Sequence, residues 1–498
     1  MTLPRFSVPV LLAIALAAPA AADAAGRSFG TLRFEPCSLT AEGLPGAVEA
    51  QCSRIEVAEN RADPDSRRIE LALAWVPASG TAAPDPVFMI AGGPGQSARQ
   101  SYPQLHAAFR DVRRSRDVLL LDARGTGGSH PLVCRDEKGA AAISDADDNE
   151  AFDAERARDF ARRCAQELGK IADLRHYGTG EHIDDLDEVR QRLGIERINL
   201  IGISYGTRVA QQYAARYPQA TRAVVLDSVA PNSLPLGNEH AANLEAALKT
   251  QFQRCRDAAA CVDQLGDPGE QLQRLHQTLR RDDLAPVRFR AAQSGAWEEE
   301  RPSFGHLAIL LRLYAYSPEA ASLLPYVIHE AANGRYEAML AQATHLGRSL
   351  SDQIFHGMQL SVMCTEDVDE FRIDDNDRGS VLGTEFIEFA KAQCDAWPRG
   401  RRDPDFRQPL TGEAPVLLLS GEYDPVTPPR YGDEVASHLP NGRHLILPGQ
   451  GHSVVSLGCA PKLFAQFIEQ ADAHALDATC LDRLKPLPPF AGAYGWEP

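Results

Sequence analysis

None of the ten cysteines stands at Cys-x-x-Cys spacing from another, which excludes the usual zinc and dithiol redox motifs, and no metal or organic cofactor is expected. Positive charge is in deficit. The 51 Lys and Arg face 68 Asp and Glu, a formal net charge of −17, so the basic footprint of a nucleic-acid binder is missing and no nucleic acid is expected as partner. Long apolar runs are missing beyond the first twenty residues. Even Phe6–Ala18 falls short of the roughly 20 residues of a membrane helix, so no membrane span is expected once that leader is removed. There is no internal repeat and no extended low-complexity segment.

A chain of 498 residues is too long for one bare core, and a core carrying one large insertion fits better than two independent domains. One positive side chain in Met1–Arg5, the apolar run and the small residues Ala20-Ala21-Ala22 make residues 1–22 read as a signal peptide. No Cys follows the run directly, so a lipid anchor is not expected. The implied location is periplasmic or secreted. In such a compartment ten cysteines predict disulfides, with neighbours in sequence as the simplest pairing: Cys37 with Cys52, Cys134 with Cys164, Cys255 with Cys261, Cys364 with Cys394, and Cys459 with Cys480.

The densest chemical signal is Gly202-Ile203-Ser204-Tyr205-Gly206. Upstream, Arg197–Ile201 is short, apolar and β-leaning. Downstream, Val209, Ala210, Tyr213, Ala214 and Tyr217 recur at helical spacing. A strand, a sharp turn with Ser at its apex and a helix make a nucleophile elbow, in which the flanking glycines let strand and helix approach. A serine needs a base, and in this arrangement the order along the chain is Ser, acid, His. Pro415–Leu419 reads as a buried strand running into Ser420-Gly421-Glu422-Tyr423-Asp424-Pro425, which makes Asp424 the candidate acid, with Glu422 and Asp227 as alternatives. Arg443–Pro448 reads as the next strand, followed by Gly449-Gln450-Gly451-His452-Ser453, which makes His452 the candidate base. His106, His182, His356 and His444 read as ordinary surface or core residues. The strand-like Val87–Ile90 breaks into Ala91-Gly92-Gly93-Pro94-Gly95, a loop able to aim backbone N–H groups into a cleft. The expected oxyanion donors are the N–H groups of Tyr205 and of Gly93, with Gly92 next. In the turn after Val118–Leu121, Asp122 and Arg124 read as residues that tie the turn together.

With Gly92-Gly93-Pro94-Gly95, Asp122-Ala123-Arg124-Gly125-Thr126-Gly127-Gly128-Ser129, Gly202–Thr207, Gly421–Pro428 and Gly451-His452-Ser453, the chain resembles the proline iminopeptidase and tripeptidyl aminopeptidase family. From about residue 400 it looks like the C-terminal domain of secreted tripeptidyl aminopeptidases. The resemblance implies an α/β-hydrolase fold and a serine exopeptidase acting at free peptide N-termini. Ala91 stands where intracellular proline iminopeptidases often have His, and Tyr205 where Trp is common there. Both departures lean away from strict prolyl specificity.

Ser204 and Asp424 must converge, so the chain between them must leave the core and return. After Asp227–Pro231 the pattern becomes mostly helical, as in Leu307, Leu310, Leu311 and Tyr314. The expected organisation is therefore an α/β core of mostly parallel sheet in two parts, residues 23–231 and 401–498, with a helical lid at 232–400. An aminopeptidase must hold a free ammonium. In Cys364-Thr365-Glu366-Asp367 the resemblance suggests Glu366 as that anchor, with Asp367 second. Short peptides are the expected substrates. A carboxylesterase using the same triad, and a non-catalytic binding protein on the same fold, remain as alternatives.

Overall fold

The computed structural model describes residues 26–143 and 153–496, apart from positions 42, 44 and 282. The expected signal peptide, residues 1–22, lies outside the described residues. Twelve strands are present among the described residues: β1 Arg27–Phe29, β2 Leu32–Leu39, β3 Val48–Ala58, β4 Arg68–Val76, β5 Val87–Ile90, β6 Val118–Leu121, β7 Ile198–Ile203, β8 Thr221–Asp227, β9 Val287–Arg290, β10 Trp297–Glu300, β11 Val416–Gly421 and β12 Gly442–Leu447. Ten of them form one sheet in the order β1-β2-β3-β4-β6-β5-β7-β8-β11-β12.

That sheet has two halves. From β6 to β12 every neighbouring pair is parallel. From β1 to β4, and where β4 meets β6, every pair is antiparallel. The burial patterns give the reason. β5, β6, β7 and β11 are buried at every position, as strands covered on both faces must be. β2 and β3 instead mix buried with exposed positions and need only one covered face.

Side chains of the parallel strands alternate between two cores. Phe88 and Ile90, Leu119 and Leu121, Val224 and Leu226, and Val416 and Leu418 face one side, where Ile183, Leu186, Val209 and Tyr213 meet them. Val87 and Met89, Val118 and Leu120, Val225, Leu417 and Leu419 face the other, against Tyr102, Phe109, Phe464 and Phe467. At roughly 1.5–3 kcal/mol for each fully buried large apolar side chain, these layers dominate the stability of the fold.

β8 and β11 are hydrogen-bonded neighbours, Val224 opposite Val416, yet residues 228–415 separate them in sequence. The excursion is mainly helical and has a core of its own built on Leu244, Leu248, Phe252, Leu307, Leu311 and Ile328. Among its helices lies one hairpin, β9–β10. There Gly295 supplies a positive φ at the turn, and Arg288 and Arg290 lie over the Trp297 ring, with the guanidinium carbons 4.5 and 4.3 Å from the ring centroid.

All ten cysteines are paired, and the pairs are the five neighbouring ones. Five disulfides suit a protein of the extracellular or periplasmic space. No helix among the described residues is long and apolar enough to cross a membrane.

Candidate active site

β7 ends at Ile203, and the helix Tyr205–Arg216 begins two residues later. Ser204 between them adopts φ 55° and ψ −123°, a conformation that costs a non-glycine residue of order 1–3 kcal/mol. The surroundings enforce it. Ser204 N–H donates to the Asp227 carbonyl at 2.9 Å, and the Ser204 carbonyl accepts from Thr207 N at 2.9 Å and Thr207 Oγ1 at 2.6 Å. A Cβ on Gly202 would lie 2.2 Å from the Gly206 carbonyl oxygen, and one on Gly206 would lie 2.4 Å from that of Ile90. Strand and helix therefore meet at a distance only glycine permits.

Asp424 follows β11 and His452 follows β12, so both stand at the C-terminal end of the parallel sheet with Ser204. His452 Nδ1 is 2.8 Å from Asp424 Oδ2. Asp424 is buried and also accepts from Val426 N and Thr427 N, each at 2.8 Å, and from Thr427 Oγ1 at 2.9 Å. Burial by itself would raise the Asp424 carboxyl; the charge and hydrogen bond of His452 and the two backbone N–H groups outweigh it and hold the carboxyl below its ordinary range. The same pairing raises His452, against the opposing effect of burial, with Asp227 adding to Asp424.

Asp227, at the end of β8, is fully buried and joins the two sides of the site. Its backbone carbonyl takes the Ser204 N–H, while its carboxylate accepts from Val454 N at 2.9 Å and Val455 N at 3.0 Å, just past His452. Burial pushes this carboxyl up to about 6 in spite of those two donors. Glu422, the other alternative acid, instead accepts from Gly449 N at 2.7 Å.

Gly92 and Gly93 lie in the wall of a cavity of about 430 Å³ that also contains Ser204 and His452. The loop they belong to is fixed from behind by Asp122, which accepts from Ser97 Oγ at 2.6 Å, Arg99 N at 3.0 Å and Gly128 N at 2.9 Å. Asp122 thus ties its own turn, as expected, and the glycine loop too. Arg124 acts farther away: fully buried, it makes two 2.7 Å bonds to Asp185 and two 2.8 Å bonds to the carbonyls of Glu59 and His176. Tyr205, the first residue of the helix after Ser204, turns its hydroxyl away from the cavity to Thr179 Oγ1 at 2.7 Å.

The excursion closes the cavity. The Tyr316 carbonyl accepts from His452 N at 2.8 Å, and its ring stands edge-on to the imidazole at 5.0 Å. Arg312, His240, His356 and Phe386 complete the wall. His356, read from sequence as ordinary, is thus a cavity residue; burial lowers it to about 4 and leaves it neutral at physiological pH. Nothing local in the sequence marks Tyr316, Arg312 or His240, because their approach to His452 depends on the packing of the whole excursion.

Glu366 and Asp367 do not reach this cavity, which corrects the expectation that they hold a substrate amine. Both are buried behind the helix Tyr205–Arg216. Glu366 accepts from Thr179 N at 2.6 Å and Thr179 Oγ1 at 2.9 Å, and burial, reinforced by the adjoining Asp367, pushes it up to about 8. Asp367 pairs with Arg208 at 3.1 Å and Arg407 at 2.8 Å. Arg208 is itself fully buried and needs that counter-charge, so the acidic pair is consumed inside the protein.

A profile described as the alpha/beta hydrolase fold matches residues 85–458. The chain is 27% identical over 451 residues to the serine protease Hip1 of Mycobacterium tuberculosis, a match covering 83% of each chain. It is 24% identical over 498 residues to the tripeptidyl aminopeptidase of Streptomyces coelicolor, covering 94% of this chain and 89% of that one. It is 23% identical over 442 residues to the putative hydrolase YuaR of Escherichia coli, covering 84% of each.

Proposed function

Because the chain belongs to the α/β-hydrolase fold family, we propose that it is an exported serine peptidase that removes residues from the free N-terminus of short peptides through an acyl-enzyme on Ser204. The observation that carries this reading is Ser204 held at positive φ in one cavity with His452, whose Nδ1 is 2.8 Å from Asp424. In this reading His452 takes the Ser204 proton as the hydroxyl attacks the peptide carbonyl, and Asp424 keeps the tautomer and steadies the imidazolium. The N–H groups of Gly93 and Tyr205 receive the negative charge that develops on the carbonyl oxygen. The imidazolium then protonates the leaving amine, and water releases the acyl group by the reverse sequence. Peptide substrates are supported by the likeness to a serine protease and a tripeptidyl aminopeptidase.

One observation favours a second reading, a carboxylesterase: no Asp or Glu is among the described residues lining the cavity, so no described side chain there balances a substrate ammonium. Hydrolysis of a free-amine tripeptidyl amide, its N-blocked twin, a prolyl amide and a short-chain ester by the mature protein, with Ser204→Ala as control, separates the two. The peptidase reading requires Ser204-dependent cleavage of the free-amine peptide in preference to its blocked twin. Turnover of the ester alone would replace it with the esterase, and turnover indifferent to Ser204 would end both.

A further inference from the structure

Arg312 is the one Lys or Arg among the described residues that line the cavity, and no Asp or Glu stands with it there. It comes from the helix Phe304–Tyr314, one turn before Tyr316, whose carbonyl and ring hold His452. Its guanidinium lies over the Phe386 ring at 5.0 Å and interacts with the Tyr316 hydroxyl. Among the described residues no carboxylate pairs with it, although most arginines of this acidic chain have such a partner. Beside it, His240 is pushed down to about 3 by burial and by the Arg312 charge, so its ring is neutral and offers hydrogen bonding without a second charge. Among the described residues the cavity therefore combines apolar side chains with neutral polar ones and holds one Lys or Arg, which no described carboxylate balances.

A guanidinium that no described carboxylate pairs, in a half-enclosed cavity, is suited to receive one from outside, because its planar fork binds a carboxylate through two parallel bonds. We propose that Arg312, assisted by His240 and the Tyr316 hydroxyl, binds a carboxylate of the substrate and so selects short peptides that carry one near the scissile bond. The proposal rests on the peptidase reading above. The carboxylate can belong to the free C-terminus of a peptide with a short leaving portion or to an acidic side chain. The two sources share one chemistry and are separated by the assay.

The test is kcat/KM of the wild-type protein on two matched pairs of free-amine tetrapeptides: a C-terminal acid against its C-terminal amide, and a Glu-containing peptide against its Gln twin with the C-terminus amidated. A charge-assisted pair in such a cavity predicts a preference of roughly ten- to a hundredfold for the anionic member of at least one pair. Which pair shows it identifies the source. Arg312→Gln should bring that ratio close to one, and Arg312→Lys should keep part of it, since the charge remains but the fork is lost. Wild-type ratios near one in both pairs overturn the proposal without any variant having to fold. If no peptide is cleaved and only esters are, the peptidase reading fails separately. A hemisuccinate ester compared with a butyrate ester then decides the role of Arg312 alone.

Discussion

Replacing Asp227 by Asn should give a stability difference that depends on pH and an activity profile displaced in a defined direction. Asp227 offers two carboxylate oxygens to two backbone donors, Val454 N and Val455 N. An asparagine has only one acceptor oxygen, so its NH₂ faces one of those N–H groups. Losing that bond and leaving a buried donor unpaired costs about 1–3 kcal/mol. Against this, the folded-state carboxyl is raised to about 6 by burial. A raised carboxyl means that the folded state binds more protons than the unfolded one between the unfolded value and about 6. The wild-type protein therefore loses stability as pH rises through that window, by roughly 2–3 kcal/mol between pH 4 and pH 8. The neutral asparagine has no such loss. The variant should thus be less stable than wild type at pH 4 by about 1–3 kcal/mol and close to wild type at pH 8. For a chain of this size each kcal/mol corresponds to about 1 °C in melting temperature. Paired thermal melts of the two proteins at pH 4 and pH 8 read the difference. In addition, Asp227 helps to raise His452, so its removal should move the acid limb of the kcat/KM profile to lower pH. A melting difference independent of pH, or an acid limb moved upward, would refute the reasoning.

Glu366→Gln should leave KM for free-amine peptides at the wild-type value, because the carboxyl is held by Thr179 behind the elbow helix; a rise in peptide KM would return Glu366 to the substrate. The double variant Cys364→Ala/Cys394→Ala releases a loop of 30 residues between two helices that both line the cavity. The chain-entropy relation puts the loss at about 3–4 kcal/mol, to be read by denaturant unfolding, and an unchanged midpoint would contradict it.

The arrangement of Ser204, Asp424 and His452 was legible along the chain because each sits where a buried strand breaks into a polar loop, and strand–loop junctions are local patterns. The neighbouring disulfide pairs were legible for a similar reason: each joins segments that are close along the chain, and the structure keeps them close. The antiparallel half of the sheet, β1 to β4, was not, since alternation of buried and exposed residues says that one face is covered without saying which strand lies alongside. Glu366 and Asp367 show the limit most clearly. An acidic pair in a helical lid looks the same whether it faces substrate or protein, and here Arg208, Arg407 and Thr179, distant in sequence, decide it.

What the sequence by itself determined is the local chemistry: glycines that let a strand and helix nearly touch, a serine forced to their apex, and an acid and a histidine just past the ends of two later strands. What only the tertiary structure decided is what surrounds that chemistry. Asp227 joins the loops of Ser204 and His452, Tyr316 braces the imidazole, and Arg312 stands in the cavity with no carboxylate partner among the described residues. These follow from contacts between segments far apart in sequence, set by how the excursion packs over the strand ends, and no short pattern of residues carries that information.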